Sequence, residues 1–146
     1  MKRDRRRARS VALITLYEVE CAKHAPGEVL SRHLQNKTNL GADTSEFLVR
    51  LVNGTLKLSG ELDQLIAECA PEWPVEELAI LDRNIIRMAI WEFAVSGETP
   101  LKVAINEAVE LAKRFGSASA PAFVNGVLGT LAARQEEISQ RLRTGN

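Results

Sequence analysis

The chain has 146 residues, 45% of them hydrophobic, with 19 Lys and Arg against 19 Asp and Glu. A chain of this length hides roughly 70% of its unfolded surface on folding, so a core forms without disulfides or a structural metal. These figures describe one compact soluble domain, 1–146, and no apolar run nears the roughly 20 residues that span a bilayer, which excludes a membrane protein.

The zero net charge is unevenly spread. Residues 1–9 hold Lys2, Arg3, Arg5, Arg6, Arg7 and Arg9 against Asp4, a net of +5, and the rest of the chain is −5. Arginine-dense segments attract polyanions, fork onto phosphates and stack on bases. The arm is therefore either a nucleic-acid contact or a solvated tail. Counterion release by all six charges predicts a slope of log K against log salt on the order of −4 for single-stranded RNA. Glu18 and Glu20 interrupt the apolar run after the arm, so no export signal is expected. Cys21 and Cys69 form no CxxC, and two reduced thiols in a cytoplasmic protein are expected.

Helical periodicity runs through the chain with almost no strand alternation, so the fold class is all-α. The first helix starts within the arginine run and reaches about Cys21, with Ala12, Leu16 and Val19 on one face and Leu13 and Tyr17 beside them. Its positive start opposes the helix dipole and is expected to fray without an anionic ligand.

Pro26-Gly27 breaks the chain before a short helix lined by Val29, Leu30, His33 and Leu34, in which His33 reads as a boundary residue. After Asn39-Leu40-Gly41, Asp43 and Glu46 form a candidate capping box for one long helix towards Cys69. Its face comprises Phe47, Leu51, Leu58, Leu62, Leu65 and Cys69.

Pro71-Glu72-Trp73-Pro74 is the internal boundary, dividing the domain into an N-terminal bundle with its arm, 1–70, and a C-terminal bundle, 71–146. A short helix around Val75 to Ile80 leads to Asp82, a candidate N-cap for Arg83 to Ala94. That segment is apolar on nearly every side and belongs at the centre of its half. Ser96 to Pro100 is a turn. The next helix carries Leu101, Ile105, Ala108, Ala112 and Phe115 inside and Lys102, Asn106, Glu110 and Arg114 outside, with Gly116 at the C′ position. Ser119 is the candidate N-cap of the last helix, which holds Phe123, Val124, Val127, Leu128 and Leu131. About seven helices in two small bundles result.

Catalytic motifs are missing: there is no GxSxG, GxGxxG, HExxH or phosphate loop. The pairs Glu76-Glu77 and Glu136-Glu137 read as wet helix faces, and neither histidine has a context that would activate Cys21. No enzyme, metal site or cofactor is expected.

Several segments together resemble one family. They are Arg5-Arg6-Arg7-Ala8-Arg9 leading to Leu16-Tyr17, Leu62-Asp63 with Trp73, and Leu81 to Ala89 with Trp91-Glu92-Phe93. The most diagnostic are Pro100 to Gly116 (PxKVAINEAVELAKRFG) and Phe123 to Leu128 (FVNGVL). From Arg5 to about Leu131 the chain resembles the NusB transcription antitermination factors.

The resemblance implies two perpendicular helical bundles and no catalytic activity. It implies binding to the boxA element of ribosomal-RNA transcripts, pairing with NusE (a small-subunit ribosomal protein), and action on RNA polymerase elongation complexes with other Nus factors. Some members form homodimers. Carried over by position, Arg5, Arg6, Arg7 and Arg9 match the arginine-rich RNA motif, and Tyr17 the aromatic one turn inside the RNA-facing helix, a reading favoured over a half-buried core edge with its hydroxyl in water. Phe115, Gly116 and Ser119 match a second RNA patch, while Phe123 reads as core. Asp82 matches an acidic position on the NusE side, compatible with capping. Asn106 and Glu107 read as structural. The loop 117–122 lacks the charged side chains often found there, which leaves the arm to supply affinity. Two alternatives stand beside this reading: an RNA-binding accessory module for a ribosomal-RNA cytosine methyltransferase on a separate chain, and a homodimeric scaffold.

Overall fold

The computed structural model describes residues 2–36, 40–72 and 74–144; Asn39 and Trp73, used above, lie outside them. Among the described residues there are eight α-helices and no strand. The chain divides into two compact units, Met1–Lys57 and Leu58–Asn146.

The first unit consists of α1 (Lys2–Ala22), α2 (Pro26–Asn36) and α3 (Ala42–Lys57). Lys23, at φ 59°, takes the left-handed conformation that ends α1. Pro26 opens α2, a position where its missing N–H costs nothing. Ala8, Ala12, Leu13 and Leu16 of α1 are buried, as are Phe47, Leu48, Leu51 and Val52 of α3, and these two helices are in close contact. Asp43 does not cap α3: the helix starts at Ala42, Ser45 N–H donates to the Gly41 carbonyl at 2.9 Å, and Asp43 sits within the first turn.

The second unit begins with Leu58 and α4 (Ser59–Cys69). The long helix expected over 43–69 is thus two. Leu58, at φ −102° and ψ 14°, departs from helical angles just before Ser59-Gly60, a weak helix-forming pair. Leu51, Thr55, Leu58, Leu62 and Leu65 nevertheless keep one apolar register across the break, which is why periodicity alone reads straight through it. The division expected at Pro71–Pro74 falls at 57/58 instead, because Leu62, Leu65 and Ile66 bury α4 in the second unit, where it meets α5 and α7.

A 3₁₀ turn (Val75–Glu77) stands where a short helix was expected and leads to α5 (Ile80–Ile90), which runs into a π turn (Trp91–Ser96). Every residue from Arg83 to Ala94 is buried: the apolar ones as a segment apolar on nearly every side requires, and Arg83, Asn84, Arg87 and Glu92 with hydrogen-bond partners. The π turn closes with Gly97 N–H on the Glu92 carbonyl at 3.2 Å, and the buried Glu92 carboxylate accepts from Thr99 Oγ1 at 2.9 Å. Around this core lie α6 (Leu101–Phe115) and α7 (Ala120–Ala132), followed by α8 (Gln135–Thr144), which the sequence reading did not include. Ile138 and Leu142 bury one face of α8, and Arg134 and Arg141 both grip Glu68 of α4, at 3.1 and 2.6 Å. Among the described residues no helix is long and apolar enough to cross a membrane.

Candidate nucleic-acid interface

The arm is helical from Lys2 onward, so helical phase sorts its arginines. Arg5 and Arg9, four apart, turn inward onto the Phe47 ring of α3, with guanidinium carbons 4.2 and 5.4 Å from the ring centroid. Phe47 is 1% exposed and Arg9 only 5%, so the pair clamps the start of α1 in place. Stacking of this kind, worth roughly 0.5–2 kcal/mol per pair, opposes the fraying expected from the unfavourable dipole. Arg9 is therefore turned away from solvent, whereas the sequence reading treated the four arginines alike.

Arg3 and Arg6 are exposed, and Arg7 is partly exposed with Asp4 at 4.0 Å. At 100° per residue these three share a narrow face with Ser10, Ile14, Tyr17 and Cys21. Ile14 and Tyr17 are 41% and 43% exposed, which makes them unusual among the large apolar side chains of this chain. A hydrogen bond with the Cys21 thiol pushes the Tyr17 hydroxyl above its ordinary pKa. Phosphate-seeking cations at one end and an aromatic ring with an apolar neighbour at the other suit an unstacked polynucleotide. Arg3, Ile14 and Cys21 were missed as members of this face; the 3–4 spacing of 7, 10, 14, 17 and 21 was the available signal.

The second patch lies in the C-terminal unit. Phe115 ends α6 half-buried, with the Arg114 guanidinium 5.4 Å from its ring centroid. Gly116 is not left-handed: φ is −93° and ψ 179°. Glycine is needed for close approach instead, since a Cβ there would lie 2.6 Å from Ala120 Cβ and 2.9 Å from the Ala112 carbonyl oxygen. Ser119 holds the N-cap position of α7, but its side chain makes no cap hydrogen bond, and its Oγ lies 3.3 Å from Ser117 Oγ. Phe123 is half-buried on the first turns of α7.

Asp82 is not an N-cap: α5 starts at Ile80, with Ala79 in the cap position, and Asp82 sits in the first turn. Its carboxylate is half-buried beside Gly116, and desolvation pushes its pKa above the ordinary value. Elsewhere the charges serve the scaffold. Glu18 holds Arg32 and accepts from His24 Nδ1 at 2.9 Å, with His33 Nε2 at 3.8 Å. Arg32 first and then His24 lower the Glu18 pKa to about 2. Arg87 donates to both oxygens of Asp63, at 2.7 and 2.6 Å, tying α5 to α4. Glu107 is the buried member of the Asn106-Glu107 pair. Both cysteines are free thiols, and among the described residues no cluster of three or more His, Cys, Asp or Glu is arranged to hold a metal.

The sequence profile of the NusB family matches residues 6–133. The transcription antitermination protein NusB of Roseiflexus sp. (strain RS-1) is 44% identical over 135 residues, covering 91% of this chain and 94% of that protein. The protein of the same name from Chloroflexus aggregans is 46% identical, covering 90% and 88%. Among solved structures, Thermotoga maritima NusB superposes with a TM-score of 0.79 at 28% identity, covering 93% of this chain and 90% of that one. NusB from a complex of the antitermination factors NusB and NusE with double-stranded RNA superposes with a TM-score of 0.80 at 25% identity, covering 97% and 99%. A profile match over most of the chain, with relatives this similar end to end, leaves one conclusion: the chain belongs to the NusB family.

Proposed function

We propose that this protein is a transcription antitermination factor that binds the boxA element of ribosomal-RNA transcripts together with NusE and thereby alters RNA polymerase elongation. The observation that carries the reading is the outward face of α1, where Arg3, Arg6 and Arg7 continue into exposed Ile14 and Tyr17. The arginines neutralise phosphates and Tyr17 stacks a base, while Arg5 and Arg9 keep the face in phase by holding Phe47. Phe115, Gly116 and Ser119 supply a second contact, at a helix end and the start of the next helix, where backbone N–H groups donate to anions. Support also comes from the relatives, which are antitermination proteins, and from a structural neighbour seen with NusE and RNA. The work is assembly in the cytoplasm, without catalysis or a cofactor.

The test is titration of labelled boxA RNA and a scrambled RNA of equal length, with and without NusE, at two salt concentrations. A preference for boxA that NusE strengthens is the expected result. Equal binding to both RNAs, unchanged by NusE, overturns the reading.

A further inference from the structure

The second patch has no cation of its own where an anionic strand would pass. Phe115, Gly116 and Ser119 are uncharged, and so is every residue of the loop 117–122. The Asp82 carboxylate, beside Gly116, adds a charge that repels phosphate. A polynucleotide is held on such ground when a neighbouring cation compensates.

The last turn of α6 carries two cations, Lys113 and Arg114, both exposed. They are placed differently. Lys113 reaches along the helix to Glu110, 3.5 Å away. Arg114 lies over the half-buried Phe115 ring, with its guanidinium carbon 5.4 Å from the ring centroid. The side of Phe115 that a base would approach is thus shared with a group that is itself planar and charged.

We infer that Arg114 is an RNA-binding residue of the second patch, its guanidinium plane stacking one unpaired base against the Phe115 ring while its charge offsets Asp82. The inference rests on the RNA-binding reading above and deepens it by naming the side chain that gives this patch its affinity.

Arginine suits the task for three reasons. Its guanidinium is flat, always charged and weakly hydrated, so it stacks on a base and keeps its aromatic neighbour as well. Contact with Phe115 restricts a long side chain before RNA arrives, so less rotamer freedom is lost on binding. Stacking also accepts any base, because every base has a π face, so Arg114 contributes affinity without reading sequence. A cation at the end of α6 favours the helix dipole too. Lysine would serve the dipole equally and would gain nothing from the flat ring.

The experiment is an anisotropy titration of the full chain with boxA RNA and with variants of it made abasic at each position in turn. Wild type, Arg114→Lys and Arg114→Gln are compared. Both substitutions should raise Kd roughly tenfold, since neither side chain presents a stacking plane with charge. The salt slope should fall by about 0.7 in Arg114→Gln and stay unchanged in Arg114→Lys. At one RNA position, losing the base should cost the wild type roughly tenfold and either variant no more than about twofold, with the other positions alike in all three proteins. Arg114→Lys should keep the wild-type thermal midpoint, because the charge at the helix end remains.

Wild-type affinity in Arg114→Lys overturns the inference, because a point charge then suffices, and wild-type affinity in Arg114→Gln does the same. So does a loss in the variants that couples to no single RNA position, or a lower midpoint in Arg114→Lys, which would make the residue structural. A defect seen only when NusE is present would place Arg114 on the protein partner and overturn it as well. All of these leave the boxA reading intact, whereas a wild type with no preference for boxA over scrambled RNA overturns both.

Discussion

Gly116 shows how one missing methyl group shapes the second patch. The sequence places it where a left-handed glycine ends a helix, and the backbone there is extended instead. The glycine is demanded by space, because Ala120 and the Ala112 carbonyl crowd the point where a Cβ would stand. Neither neighbour is a flexible side chain, so Gly116→Ala should cost about 1–3 kcal/mol by overpacking, read as a fall in thermal midpoint, and should weaken RNA binding by shifting Phe115 and Ser119. An unchanged midpoint would show that the junction yields freely. The residue type was legible in the sequence, but its reason was not, since it depends on how the turn between α6 and α7 folds Ala120 back onto it.

The helices show a similar division between what is local and what is not. The buried centre, Arg83 to Ala94, was readable because a segment apolar on all sides has one place to go. The break at Leu58 was hidden because the apolar register crosses it unchanged. The identity of α8 was hidden as well: only Ile138 and Leu142 are apolar anchors, and its hold on α4 is the ion pairing of Arg134 and Arg141 with Glu68.

The end of α1 is joined to α2 through Glu18, with Arg32, His24 and His33 around one carboxylate. Its pKa is lowered from 4.5 to about 2, so the stabilisation is complete above the unfolded value and is lost as pH falls through that window. Glu18→Gln should therefore melt lower than wild type at pH 7, and the gap should narrow below about 4.5 and close near about 2. The site is open to solvent, so the gap should also shrink in high salt. A gap independent of pH would mean that the Glu18 carboxylate is not what joins the two helices.

For the whole chain, the charge split survives folding but its useful part is smaller than the count suggests. Six basic residues precede position 10, yet Arg5 and Arg9 are engaged with Phe47. Without those two, the four remaining charges, Lys2, Arg3, Arg6 and Arg7, give an arm contribution to the salt slope of about −3 for single-stranded RNA, not the −4 of the full set. Arg3→Gln should reduce the slope by about 0.7 and leave the thermal midpoint unchanged. Arg9→Gln should lower the midpoint and change the slope little. If both variants alter the slope equally, the inward stacking does not persist in the RNA complex.

Composition and helical period were enough to establish the all-helical class, the buried fifth helix and the basic arm, because each is a property of residues close together in sequence. The motif from Pro100 to Gly116 carried the family in the same way. Folding alone decided which arginines face outward, why Gly116 cannot carry a side chain, where the compact units part, and that Asp82 holds a dry oxygen beside Gly116. Three of these depend on a neighbour from a distant segment, Phe47 for the arm, α5 and α7 for α4, and Gly116 for Asp82, while the crowding at Gly116 depends on the local turn that folds Ala120 back onto it. Periodicity specifies that a helix has an inner face, but the phase of that face and what it touches are set when the partner helix docks.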